Sequence, residues 1–415
     1  MSPNIRIALR FLTANKRAMA MSLAGIIFGV GFFIFGQAQT SGFEQFFVKT
    51  ILGTNGAIRV QDRIRETFTT MELENEDGTS WVIENTENFK YIEGIEHPLE
   101  VIDALKQFES VTGISEVLTG SVLLASNFRS YTGRIYGVNI DDHIAVSDIE
   151  NQIIFGGLDE FRSKPSGILI GSGFARLLQV NLGDTVIMTI LGQNNRYTIA
   201  GIFETGVSDI DRQRLYMKLS EARSVLQRPH GASFLQVNLI DHNRAREEAL
   251  HMTNTIYYHV ASWQEREKSW LDAFLVLRVS TGLTISTIIL LSGLGMFNTL
   301  AMLVLEKTKE IAILRSMGYT RNDISSIFLW QGFFVLFAGT SLGCLLAILI
   351  TYGVSNLPFR VTGIFSTDTF VVHWSIWHYV AAVLTASVIV MIASYIPARR
   401  AAGLEPGDII RGTSQ

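Results

Sequence analysis

No Gly-Lys pair occurs anywhere in the 415 residues, and without one there is no Walker A loop to cradle the phosphates of a nucleotide. This chain is therefore expected not to hydrolyse ATP itself. HExxH and EF-hand patterns are missing as well, which removes the commonest sequence signals for a zinc protease or a calcium loop. A single cysteine, Cys344, sits inside an apolar run, so there is neither a disulfide framework nor a thiol pair for metal or redox chemistry. It reads as a small packing residue. Charge is also scarce: 17% of residues are charged against 48% hydrophobic, with a mean hydropathy of +0.27. That balance is too apolar for an ordinary soluble chain of this length and points to a membrane.

What the chain does contain is four apolar runs, 18–38, 279–305, 324–352 and 379–398. Each reaches the roughly 20 residues that a helix needs to cross the hydrocarbon core. The competing reading of the first run is a cleaved signal peptide, since Arg6, Arg10, Lys16 and Arg17 precede it and Gly36-Gln37-Ala38 resembles a small-residue cleavage site. Its 21 uncharged residues exceed a signal core of about 7–15, and three later spans need a fourth to bring both termini to one side.

Charge assigns the sides. The N-terminus, the 306–323 loop and the tail after Ala398 carry eleven Lys/Arg against five acids, so all three are expected in the cytoplasm. The stretch 39–271 then lies outside with 31 acids and 21 bases, a net charge of −10, which disfavours nucleic acid and anionic headgroups. Within it, Ser166–Ile170, Thr185–Leu191, Arg196–Phe203 and Ser233–Ile240 read as strands bounded by turn residues. Gly173–Leu178, Ser220–Leu226 and Arg244–Thr255 have helical spacing. The fold class is thus a membrane α-helical protein with four transmembrane helices and a large α+β extracytoplasmic domain between the first and second, expected in two lobes. Residues 71–100 carry nine acids and one base around Glu76-Asp77-Gly78, reading as a solvated hairpin or flap.

The expected order along the chain is a cytoplasmic segment 1–17, a span 18–38, the outer domain 39–271, a stalk and span 272–305, a cytoplasmic loop 306–323, a span 324–352, an outer loop 353–378, a span 379–398 and a tail 399–415. From Ser262 to Leu305 there is no Pro, and no Gly before Gly282. The last helix of the outer domain is therefore expected to run straight into the second span, 44 residues forming a rod on the order of 65 Å.

Three constellations invite chemistry. Gly339-Thr340-Ser341-Leu342-Gly343 matches the nucleophile elbow, but that motif needs a strained strand-to-helix turn, and here it falls in mid-span. Glycines four apart, here and at Gly25 and Gly29, instead let a second helix approach closely. His373 and His378 flank Trp374 and Trp377 before the fourth span, where an interfacial aromatic belt accounts for them without a metal. The third, Glu306–Gly318, reads EKTKEIAILRSMG. Its Ile311, Ala312, Ile313, Leu314 and Met317 are spread around the helical wheel among charges, so no single face is apolar. Such a segment needs partners on several sides, or else is an ordinary basic loop that only orients the spans.

Several stretches together resemble the permease subunits of the lipoprotein-releasing ABC transporters. They are Phe297-Asn298-Thr299-Leu300 with AMLVLEKTKEIAILRSMG, then Ile324, Ile327-Phe328 and Gln331-Gly332. Others are IRIALRFL near the start, Ser41-Gly42-Phe43-Glu44, YGVNIDDH at 136–143, GSGFARLLQVNLGDTV at 171–186, GIFETGVSDID at 201–211, and Pro397-Ala398-Arg399-Arg400-Ala401-Ala402 with Pro406. The arrangement of one span, an outer domain and three spans is similar to macrolide-exporter and cell-division permeases too. The acidic 71–100 segment departs from the family by its length.

The resemblance implies a non-catalytic permease of the inner membrane that couples a cytoplasmic ABC ATPase dimer, which holds the ATP and Mg, to movement of the outer domain; this chain itself is expected to bind no cofactor. It implies contact with the ATPase through Glu306, Lys307, Lys309, Glu310, Ile311, Leu314 and Arg315, and a cavity for an acylated lipoprotein walled by Gly25, Gly29, Phe33, Met296 and Phe297. A second permease copy or a paralogue, membrane lipids and a periplasmic lipoprotein carrier are the partners it implies; nucleic acid is not among them. Efflux of a drug or glycolipid, and regulation of a cell-wall hydrolase without transport, are the alternatives.

Overall fold

Uncharged runs dictate the long helices, because a bilayer-spanning segment must satisfy its own backbone hydrogen bonds. The computed structural model describes residues 3–12, 16–62, 70–74, 80–84, 94–357, 361–362, 366–367 and 369–403. In chain order the elements begin with α1 (Pro3–Leu12), α2 (Lys16–Asn55), β1 (Ile58–Gln61), β2 (Thr70–Glu74), β3 (Ser80–Glu84), α3 (Pro98–Leu105), β4 (Val111–Ala125) and β5 (Ser130–Val138). Next come α4 (Ile140–Ile144), α5 (Ile149–Gln152), β6 (Ile153–Gly156), α6 (Leu158–Ser163), β7 (Gly167–Gly171), α7 (Ser172–Leu178), β8 (Thr185–Ile190) and β9 (Gln193–Phe203). Then follow α8 (Ser208–Gln213), β10 (Arg214–Lys218), α9 (Leu219–Val225), β11 (Phe234–Leu239), α10 (Ala245–Thr255), β12 (His259–Ser262), α11 (Trp263–Arg266) and α12 (Lys268–Glu306). The chain closes with α13 (Thr308–Ser316), α14 (Arg321–Ser355), β13 (Val361–Thr362), β14 (Ser366–Thr367) and α15 (Ile376–Ala402).

Among the described residues four helices are long and apolar enough to cross a membrane: Met19–Asn55, Lys268–Glu306, Arg321–Ser355 and Ile376–Ala402. Between the first and second lies the large α+β domain, so the fold class read from the sequence holds. The chain divides into two compact units, one of residues 1–46, 272–360 and 368–415, the other of 47–271 and 361–367.

In the first unit, α2 and α12 run antiparallel in direct contact. Ser22 Oγ lies 3.4 Å from Thr299 Oγ1, and Gln37 Nε2 donates to the Arg278 carbonyl at 3.1 Å. Along this seam a Cβ on Gly25 would lie 2.4 Å from Ser292 Oγ, and one on Gly29 2.8 Å from Ile289 Cγ1. Close approach of backbones is how helices gain contact in lipid, where no hydrophobic drive separates them from the solvent. Helix α14 seats on α2 by the same device: Gly339 meets Ile26, and Gly343 meets Val30 and the Ile27 carbonyl. The nucleophile-elbow spacing at 339–343 therefore serves helix packing.

The second unit is built on one ten-stranded sheet in the order β12-β1-β11-β4-β5-β10-β7-β9-β6, with β8 paired to β4 and β9. The 15-residue strand β4 pairs with β11 at one end and β8 at the other, and with β5 from Val117 to Ala125. All ten strands belong to one sheet within a single compact unit rather than two separate lobes, with β4 long enough to join its two ends. One apolar core gathers around β1, β11 and β12 with α3 and α10; two more cover β4 to β10. Strands β2 and β3 form an antiparallel hairpin from Thr70↔Glu84 to Glu74↔Ser80. Of the expected acidic excursion, 75–79 and 85–93 lie outside the described residues, as does the tail from 404 onward, while its end at 94–100 is not a flap: Ile95 pairs with Ala232 and buried Pro98 opens α3.

The structure corrects two helix limits. The first span helix does not stop at Ala38 but continues to Asn55, where Gly56 at φ +67° ends it by donating to the Leu52 carbonyl. Gln37, Gln39, Thr40 and Ser41 end the apolar run, yet none of them breaks a helix. The 44-residue rod is interrupted at Glu267, whose φ and ψ of −99° and 17° separate α11 from α12. Its carbonyl instead accepts the amides of Trp270 and Leu271. A continuous helix of 39 residues remains, about 58 Å long.

Candidate functional site

Within the segment Glu306–Gly318, Thr308–Ser316 fold as α13, set between two span helices and bounded by chemistry that the sequence encodes locally. Thr308 Oγ1 donates back to the Val304 and Leu305 carbonyls at the junction with α12. At the far end Gly318 takes φ +98°, and Tyr319 N donates to the Leu314 carbonyl at 3.2 Å. That closure needs a left-handed residue, for which glycine carries no penalty. Helix α14 then starts on a capping box, Thr320 and Asp323 exchanging side-chain and backbone bonds.

Only part of α13 is covered. Ile311 and Ala312 are buried and Leu314 is half-buried, with Ile311 and Leu314 joining the core that includes Leu303, Val304, Ile324 and Phe328. Helix α1 completes this floor: Ala8 and Phe11 face inward, the Phe11 and Phe328 rings lie 6.4 Å apart, and Asn4 Nδ2 donates to Asp323 Oδ1 at 3.2 Å. The opposite side of α13 is open, with Glu306, Lys309 and Glu310 exposed and Ile313 and Met317 58% and 73% exposed. Lys307 forms an ion pair with Glu310 and sits 5.6 Å from the Phe11 ring centroid. Arg315 is half-buried, and its Nε has no hydrogen-bond partner. An apolar patch edged by both signs of charge is suited to seating a protein surface.

The residues expected to wall a cavity take part in the helix packing. Gly25 and Gly29 face α12 directly, and Phe33 and Met296 are 7% and 0% exposed within the span core, while Phe297 is half-buried. On α2 the large side chains that point away from this packing are Met21, Phe28 and Phe32; on α12 they lie on several sides, among them Leu283, Leu290 and Leu294 but also Ile288, Leu291 and Met302. Met21, Phe28 and Phe32, like Leu283, Leu290 and Leu294, repeat at spacings of seven and four, the spacing of neighbours on one helical face. Phe28 and Phe32 stack with centroids 6.2 Å apart.

The short Ser41–Glu44 stretch also finds its physical reason. Ser41 Oγ lies 3.1 Å from His378 Nε2, Gly42 leaves room for the backbone of Val371 and Val372, and Glu44 forms an ion pair with Arg278. His373 is held 3.1 Å from Gln45 Nε2, and its amide donates to the Ala38 carbonyl. Both histidines thus serve to fasten the segment before α15 to α2, and Trp374 and Trp377 beside them are 48% and 73% exposed. Sequence reasoning did not assign α1 a place; the signal was present in IRIALRFL, whose apolar residues fall at helical spacing with Arg6 and Arg10 on the other face.

Comparison with known proteins agrees with this architecture. Residues 19–250 match the family described as MacB-like periplasmic core domain, and residues 282–406 match FtsX-like permease C-terminal. The lipoprotein-releasing system transmembrane protein LolC of Xylella fastidiosa (strain 9a5c) is 24% identical over 72% of this chain and 78% of its own length. LolE of Haemophilus influenzae is 26% identical over 76% and 81%. The macrolide export ATP-binding/permease protein MacB of Acinetobacter baylyi is 24% identical over 98% of this chain and 59% of its own length. A MacB-like domain spanning more than half of the sequence, followed by an FtsX-like permease region, makes this chain a member of the Lol/MacB family of ABC-transporter permeases.

Proposed function

We propose that this permease converts ATP hydrolysis in a separate cytoplasmic ATPase dimer into movement of its large domain, and that the work extracts a lipidated protein from the inner membrane. The observation that carries the reading is α13: a short helix whose one side is built into the core while Ile313, Met317, Glu306, Lys309 and Glu310 stay open. Lys/Arg enrichment of its loop and of both chain ends supports a cytoplasmic position for all three. Helix α12 continues without interruption from the α13 junction to Lys268, and a helix is the stiffest element available for passing on a displacement.

The cargo assignment rests on the kinship with LolC and LolE. Acyl chains resist leaving a bilayer by about 0.8 kcal/mol per CH₂, so a lipidated substrate needs an external source of work. The exposed stripes of Phe28 and Phe32 and of Leu283, Leu290 and Leu294 suit acyl chains or a second permease. Efflux of a small amphiphile is the second reading, supported by alignment with a macrolide exporter over 98% of the chain.

The test is to solubilise the tagged chain from its native membrane and identify partners and bound lipids by mass spectrometry. An ATPase recovered together with acylated lipoproteins supports release. An ATPase with an outer-membrane duct adaptor and no lipoprotein overturns the cargo assignment in favour of efflux, and a copurified cell-wall hydrolase replaces both with regulation.

A further inference from the structure

One face of the large sheet carries an unusual set of cations. Alternation along antiparallel and parallel neighbours puts side chains of paired residues on the same face, and Arg59 pairs with Gln236 across β1 and β11, while Tyr136 pairs with Tyr216 across β5 and β10. Arg214, two residues before Tyr216, shares that face. Arg266, from the end of α11, reaches the same place and donates to the Gly56 carbonyl at 3.3 Å. Arg59, Arg214 and Arg266 together line a polar cavity of about 330 Å³.

Three guanidiniums here face one carboxylate, Glu267. Arg214 is 7% exposed and bonds only neutral groups: the hydroxyls of Tyr216 and Tyr136 at 3.1 and 3.3 Å, and Asn55 Oδ1 at 2.9 Å. Arg59 lies over the Phe234 ring, 3.4 Å from its centroid, and its Nε is unpartnered. Among the described residues none of the three arginines forms an ion pair with a carboxylate. Gln236, 2% exposed, also leaves its Oε1 without a partner. Burial, and then repulsion from Arg59, pushes Arg266 down to about 10, while burial outweighs the arginines and raises Glu267. Buried cations left unpaired are costly, and an anion held by several guanidiniums relieves that cost through charge-assisted bonds.

We propose that this cavity is a binding site for a compact oxyanion, a carboxylate or phosphate group, held by Arg59, Arg214 and Arg266. The site lies where Asn55 ends α2 and where Glu267 separates α11 from α12. An occupied site ties the end of one long helix to the start of the other through Arg214 and Arg266. The proposal is independent of the cargo reading, since it concerns a site within the large domain alone.

The test uses the full chain purified in detergent, with its thermal midpoint followed against inorganic phosphate, acetate and chloride at matched ionic strength. Saturable stabilisation by phosphate or acetate beyond chloride is expected, and the stronger of the two arms identifies the group. Equal response to all three salts, or none, overturns the site. Arg59→Gln should weaken the anion response by about tenfold or more. Because removing a half-buried arginine from the sheet can impair folding, Gln236→Glu provides a second arm that supplies the anion from the chain itself. It should raise the midpoint in the absence of added anion and abolish the phosphate or acetate response; a lowered midpoint with that response retained contradicts the proposal.

Discussion

His143 is fully buried beneath the same face of the sheet, its Nδ1 3.1 Å from Ser115 Oγ, its ring 5.3 Å from that of Tyr216, and its Nε2 without a partner. Burial, with Arg214 nearby, pushes its pKa from 6.5 down to about 3. The folded chain therefore keeps the imidazole neutral where the unfolded chain takes a proton. Its contribution to stability is complete above pH 6.5 and is lost as pH falls toward 3, with a slope approaching about 1.4 kcal/mol per pH unit. His143→Gln should flatten the fall in thermal midpoint between about pH 6.5 and about pH 5 relative to the parent chain. Parallel curves for the two proteins would show that His143 is not the group responsible. This histidine stood within a recognisable stretch of sequence, but its burial was not legible there, because Ser115, Tyr216 and Arg214 come from other elements. The same holds for the three arginines at 59, 214 and 266, which no local spacing connects.

At the scale of elements, the helix seams depend on positions where backbone meets side chain. A Cβ on Gly29 would lie 2.8 Å from Ile289 Cγ1 and 3.5 Å from its Cα, whereas one on Gly353 meets nothing within 4 Å. Overpacking a close contact typically costs about 1–3 kcal/mol, so Gly29→Leu should lower the thermal midpoint in detergent while Gly353→Leu leaves it near the parent value. Equal midpoints for the two variants would remove the seam between α2 and α12 from the account. These elements were also the most legible part of the chain. Uncharged runs marked four span helices, and the close approach expected of Gly25, Gly29, Gly339 and Gly343 is what the helix contacts show. Helix ends were less legible. Polar residues after Ala38 stop hydropathy without stopping the helix, and the interruption at Glu267 arises without a Pro or Gly to announce it. In the large domain alternation located β7, β8, β9 and β11, but not their order in the sheet, which is set by long-range pairing around β4.

For the molecule as a whole, the central claim is that α13 receives force from a separate ATPase. Its geometry separates two sets of residues that the sequence interleaves: Ile311 and Leu314 join the span core, while Ile313, Met317, Glu306 and Glu310 remain open. The decisive measurement is site-specific photocrosslinking in native membranes, with the reactive side chain placed at Ile313 or at Met317 and, as a control, at the 74% exposed Phe128 of the large domain. The account predicts adducts with a nucleotide-binding ATPase from positions 313 and 317, none from 128, and loss of those adducts when Glu306→Lys and Glu310→Lys are introduced together. Adducts from 313 and 317 to lipid alone, or no ATPase adduct from either position, would contradict it.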